Sequence, residues 1–155
     1  MKCKHIYAVK CWRNGPGHYN MMLVNVAHND NNDNNSSLSV RGLHGLEVAW
    51  ACLFFSFTLD GVKYPCTLVH WFSCTGDMPS DATGMYTVKP EHSHNGQPVM
   101  SIIHLNMVFR AAHLLPVFYK HSALSKHQCY KHTLNLFLTF YLNHYIDHHS
   151  FEVLM

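Results

Sequence analysis

Apolar residues are densest between positions 48 and 72, where the runs VAWACLFFSF and YPCTLVHWF flank the tetrad Leu59-Asp60-Gly61-Val62. Both runs are rich in β-branched and aromatic residues. Asp-Gly between two such runs predicts a tight hairpin, because both central positions of the matching turn take positive φ. The pattern elsewhere predicts shorter strands: residues 5–12, 21–26, 83–88 and 99–105, with residues 114–117 extended after a Leu-Leu-Pro step. Asn106 reads as the cap of a short helical turn over residues 107–112. At the C-terminal end, Leu134, Phe137, Leu138, Tyr141, Leu142 and Tyr145 recur at helical spacing. Thr133 stands as N-cap, which predicts an amphipathic helix over residues 133–149. The expectation is a mostly β (α+β) domain of about six short strands closed by one helix.

The polar tract NDNNDNNSS, residues 29–37, interrupts this pattern and offers nothing to bury, so a flexible Asn-rich loop is expected there. Asp30 and Asp33 within it suggest a calcium loop. The tract lacks the glycine of the sharp bend and the closing glutamate that such loops need.

At 155 residues, 48% of them hydrophobic, the chain has the size of a single domain, 1–155, with a proper core. Charged residues make up only 13%, about half the usual ~25%, which favours a surface partly covered by a partner. The net charge of +2 carries no polyanion signature, although protonation of the fifteen histidines near pH 6 would make the chain basic. The first residues lack the apolar stretch of a signal peptide, and no run approaches the ~20 apolar residues of a membrane span. The six cysteines show no framework spacing. Free thiols and an intracellular location follow as expectations, with no membrane partner.

Several residue sets invite chemistry. His144 and His148 would share one face of the predicted helix, as paired zinc ligands do, but no third ligand is identifiable and fifteen histidines make such spacing common. No metal site and no cofactor are expected. Cys66 or Cys74 with His70 could form a nucleophilic pair, yet nothing nearby in sequence orients a base, so no catalytic residue is assigned. Trp12, Trp50, Trp71 and Tyr86 could make an aromatic cage for a methylated lysine; the plainer reading is that they fill the core. Arg13, Arg41 and Arg110 are the candidate nucleic-acid contacts, scattered rather than clustered. Phe140 lies off the stripe of the predicted helix. A helix apolar on two sides must be buried on two sides, so Phe140 and Tyr145 are candidate contacts for self-association or a protein partner through that helix.

In order along the chain, the blocks CWRNG (11–15), LVN (23–25), GLEVAWACLFFSF (45–57), YPCTLVHWF (64–72), TGMYTVKP (83–90), SIIHLNMVFRAAHLLPVF (101–118) and FYLNHYIDHHSFEV (140–153) resemble the C-terminal region of proteins encoded by Plavaka-type transposons of mushroom-forming fungi. The chain departs from that pattern at Trp50, where Arg is expected, at Tyr86, where Trp is expected, and at Asn106, where Asp is expected. These departures suggest a decayed or domesticated copy. The resemblance implies DNA transposition by a metal-dependent nuclease upstream of this region, and none of that nuclease's acidic triad can be placed in these residues. What it implies for the chain itself is a non-catalytic accessory domain mediating protein or chromatin interaction, or alternatively a DNA-binding module of the transposition complex; either role is nuclear. The order of TLVHWF, a loop and SIIHLNMVFRAAHLLPV is also similar to a bromo-adjacent-homology domain. That similarity implies a small, partly open β-barrel that binds chromatin or other proteins.

Overall fold

The computed structural model describes residues 5–9, 18–26, 43, 45–118 and 137–154. Among the described residues ten strands run in chain order: β1 (Ala8–Val9), β2 (His18–Tyr19), β3 (Met21–Asn25), β4 (Leu46–Leu59), β5 (Val62–Cys74), β6 (Thr87–Pro90), β7 (Met100–His104), β8 (Val108–Ala112), β9 (Leu114–Pro116) and β10 (Phe140–Leu142). One α-helix, α1 (His148–Leu154), ends the described chain. The fold is mostly β, a nearly closed barrel-like sheet with one C-terminal helix.

The hairpin of β4 and β5 is its axis. Asp60 and Gly61 turn it with φ of 50° and 78°, the left-handed pair that the Asp-Gly sequence requires. The main sheet runs β8-β3-β4-β5-β6-β10-β9, and β7 pairs along the first half of β5. All the pairings are antiparallel. Its two ends, β8 and β9, are separated in sequence by His113 alone. One nearly continuous segment therefore pairs with β3 and then with β10, and this curls the sheet back on itself. The amide of Asn143 donates to the His113 carbonyl at 2.8 Å and pins that corner.

Strand β3 is buried on both faces over Met21 to Val24, which explains the unbroken apolar run MMLV before the exposed Asn25. Met21 and Leu23 join Val48, Phe72, Tyr86, Val88, Phe137, Phe140, Leu142 and Leu154 inside the barrel. Met22 and Val24 pack with Ala49, Ala51, Val69 and Ile103 on the other face, where Ile6 and Ala8 of the N-terminal segment lie against them. Each fully buried Leu, Val or Phe side chain contributes roughly 1.5–3 kcal/mol of transfer free energy.

Three expectations from sequence need correction. The helical turn forms earlier than expected, at Leu105–Met107, capped by His104, whose side chain accepts from the Asn106 amide. Residues 108–112 are strand β8, because the edge of β3 offers them a ladder. Within residues 133–149, residues 133–136 lie outside the described residues, and Phe140–Leu142 form strand β10 between β6 and β9. The helix begins only at His148, and the intervening His144–Ile146 form a 3-10 turn capped by Asn143. The strand expected over residues 83–88 begins at Thr87. The Asn-rich tract 29–37 lies outside the described residues.

Candidate functional site

The register of the central hairpin decides which side chains meet. Leu53 pairs with Leu68 but Ala51 pairs with Val69, so Cys52 is an extra residue, a β-bulge. Above the bulge the register is displaced by one, and Trp50 stands opposite His70. Their rings tilt together with centroids 6.4 Å apart, and Phe72 follows His70 at 5.6 Å. Tyr19 sets its edge against Trp50 at 5.9 Å.

Trp50, His70 and Phe72 form the floor of a cavity of about 850 Å³. Lys89 and Pro90 at the end of β6, with Glu91 and His92 after it, form one wall, and Phe137, Leu138 and Thr139 form the other. The Nε2 of His70 lies 2.9 Å from the carbonyl oxygen of Glu91 and fixes that wall to the floor. The indole Nε1–H of Trp50 is buried with no hydrogen-bond partner. An unmade hydrogen bond of this kind costs about 1–3 kcal/mol.

A second cavity of about 500 Å³ shares Phe72, Ser73 and Glu91 with the first and continues to Glu47, Cys74 and Asp77. Burial, then the neighbouring carboxylate of Glu91, holds the Glu47 carboxyl above the usual carboxylate range. The Cys74 thiol is pushed up by burial first and then by Glu47 and Asp77. The cleft is thus aromatic at one end, where among the described residues Lys89 is the one cation lining it. It is carboxylate-rich at the other, where Glu47, Asp77 and Glu91 outnumber that charge and favour an organic cation.

The sequence-predicted residues separate. Trp50 lines the cleft. Trp71 points from the opposite face of β5, where its Nε1–H donates to Ser101 Oγ at 2.9 Å. Tyr86 and Phe140 are buried inside the barrel and present no surface to a partner. Phe140 cannot serve as the outer side of a helix, because it is an inward residue of β10. Tyr145 is exposed, and its hydroxyl donates to the Thr83 carbonyl at 3.2 Å. Arg110 is committed internally: its Nη2 reaches both carboxylate oxygens of Asp147, at 3.0 and 2.8 Å. Trp12, Arg13 and Arg41 lie outside the described residues.

The histidine pair does not assemble either. His144 is 1% exposed, whereas His148 points to solvent and lies 3.6 Å from Glu152. Among the described residues no group of three or more His, Cys, Asp or Glu could hold a metal ion. Both ring nitrogens of His144 are buried without partners, and desolvation lowers its pKa. The unfolded chain, with its ordinary pKa near ~6.5, binds the proton more readily. Stability from this residue is present above that pH and is lost as pH falls toward the lower folded value. His144→Leu should therefore flatten the acid limb, narrowing by up to about 1.4 kcal/mol per pH unit the loss measured by urea titration between pH 7.5 and 5. Parallel wild-type and variant curves would show that His144 is not the group responsible.

Sequence reasoning missed His70, Phe72, Phe137 and Glu91 as companions of Trp50. They come from three separate segments, and only the displaced register and the β6–β10 pairing bring them together. Among the described residues no helix is long and apolar enough to cross a membrane. No protein-family model, curated protein or solved structure matches the chain.

Proposed function

We propose that the chain is a non-catalytic, transposon-derived accessory domain that binds a basic segment of a protein partner, such as a chromatin tail, in the cleft of Trp50, His70 and Phe72. The observation that carries this reading is the junction of aromatic floor and carboxylate wall. A lysine or arginine side chain laid across it would meet the Trp50 face and the Glu47, Asp77 and Glu91 carboxylates together. Among the described residues the cysteines are not activated as nucleophiles, which is compatible with a binding role. Cys66 is buried, and burial first, then the Glu47 and Asp77 carboxylates, favours the thiol form of Cys74.

Within the described residues charge does not favour the DNA-binding alternative: they include three Lys or Arg (Lys63, Lys89, Arg110) against seven Asp or Glu, and Arg110 is already paired. Phosphate binding on this surface would need the opposite balance. The rest of the chain carries eight Lys or Arg against two Asp or Glu, so titration with duplex decides for the whole protein.

Tryptophan fluorescence of the untagged protein, titrated with a Lys/Arg-rich histone-tail peptide and with short duplex DNA at low and physiological salt, tests the reading. Peptide binding is expected to persist at physiological salt. Trp50→Phe and Glu91→Gln should each weaken it, by roughly tenfold for a lost cation–π or charge contact. Duplex binding that collapses with salt, without peptide binding, would establish the DNA-binding module instead.

A further inference from the structure

The face of the hairpin that carries Trp50 and His70 continues beyond the barrel. Below the bulge, β4 residues 53–59 pair with β5 alone among the described residues, and residues 62–65 of β5 pair with β4 alone. The result is a two-stranded arm. The bulge places Leu53, Phe55, Phe57 and Leu59 on the same face as Val62, Tyr64 and Leu68, and β7 adds Met100 and Ile102 beside them. Phe57 and Tyr64 stack with centroids 5.3 Å apart, a flat aromatic plate midway along the strip. Ile102 is 62% exposed and Leu59 57%, and Leu53, Phe57, Val62 and Met100 are exposed as well. Hairpin faces normally turn apolar residues toward a core. This one turns them to solvent.

We infer that this strip is an isologous dimer interface, on which the arm of a second copy packs face to face. The exposed side chains present on the order of 600 Å² of apolar surface per copy, approaching the roughly 800 Å² per partner of an ordinary stable interface. Half-buried Phe55, Tyr64 and Leu68 supply the remainder. No Lys, Arg, Asp or Glu side chain lies on the strip: Lys63 belongs to the opposite face and Asp60 to the turn. A heterologous protein would need no particular charge to bind there and would gain no specificity from it. A second copy brings the same uncharged rows, and two hairpin faces about 10 Å apart with crossed strands make a small sandwich core. Placing self-association on the arm replaces the expectation that it runs through the C-terminal helix, and it is independent of the cleft reading.

Sedimentation velocity over a concentration series of the full chain tests the proposal, with circular dichroism melts as the control for folding. The wild type is expected to dimerise with a dissociation constant in the micromolar range or below. Leu59→Lys at the arm tip and Ile102→Glu on β7 should each weaken the dimer by about 30-fold or more while leaving the melt intact. Tyr145→Lys, on the C-terminal segment, should leave it unchanged. A wild type that stays monomeric at high micromolar concentration overturns the proposal. So does a dimer that survives Leu59→Lys and Ile102→Glu together. A variant that fails to fold leaves the decision to the other variant and to the wild-type series.

Discussion

Phe140→Ala should destabilise the protein by about 4 kcal/mol, the range for emptying a fully buried aromatic site. The melting temperature should fall by roughly 10 °C for a chain of this size. Phe140 is 1% exposed and is the first residue of β10, opposite Val88 on one side and Pro116 on the other. Its ring meets Phe72 at 6.2 Å and Phe137 at 6.4 Å, both edge-to-face, so the substitution removes two aromatic contacts as well as the buried area. It also opens the layer where β6, β9 and β10 close the barrel. Urea titration monitored by circular dichroism measures the loss. A change below about 1 kcal/mol, as for an exposed helix position, would mean that residues 140–142 are not in the strand. Leu138→Ala, two residues away on an exposed side chain, should change stability by less than about 0.5 kcal/mol.

That contrast shows why the C-terminal segment was hard to read. Phe137, Leu138, Tyr141, Leu142 and Tyr145 satisfy a helical period, while Phe140 and Leu142 equally satisfy a period of two. Choosing between them requires partners distant in sequence, β6 and β9. In the fold the pairing wins: Phe140 and Leu142 turn inward and Leu138 turns out. Residues 108–112 show the same override, since VFRAA carries no strong strand signal and takes its form from the edge of β3. The central hairpin was legible because its determinants are local: two residues at positive φ and two flanking apolar runs.

The cleft was half legible. Counting straight back from the Asp60-Gly61 turn sets Trp50 opposite Trp71, which would have put two indoles on one face. The bulge at Cys52 shifts the register and turns Trp71 to the outer face, leaving His70 as the neighbour of Trp50. A one-residue slip reverses every side chain that follows. Nothing in the residues around Cys52 announces the extra position, so of the three cage candidates among the described residues, Trp50, Trp71 and Tyr86, Trp50 alone lines the cleft, with companions from other strands. The same bulge aligns the apolar rows of the arm with the inner face of the barrel, so one irregularity shapes both the cleft and the proposed interface.

Asp147→Ser is expected to destabilise the protein by about 2–3 kcal/mol even though serine keeps the helix cap. Asp147 has two tasks. Its Oδ1 accepts from the Ser150 amide at 2.8 Å, capping α1, and both carboxylate oxygens hold Arg110. Arg110 lies on β8, and its side chain is only 11% exposed against 29% for Asp147, so the pair ties the C-terminal helix to the strand that closes the barrel. Its Nη1 also lies near His149 Nδ1, at 2.6 Å. Serine can replace the cap but cannot neutralise a guanidinium that stays largely buried, and a stranded buried charge costs more than the intact pair contributes. The compensating change should therefore be apolar. In Arg110→Met with Asp147→Ser the charge is gone, the stem still packs against the helix and the cap persists, so stability should return to within about 1 kcal/mol of wild type. If the single Asp147→Ser substitution costs less than about 0.5 kcal/mol, the pair behaves as a solvated surface bridge. Arg110 would then be free to meet an outside phosphate, and the case against a DNA-binding surface would lose its strongest residue.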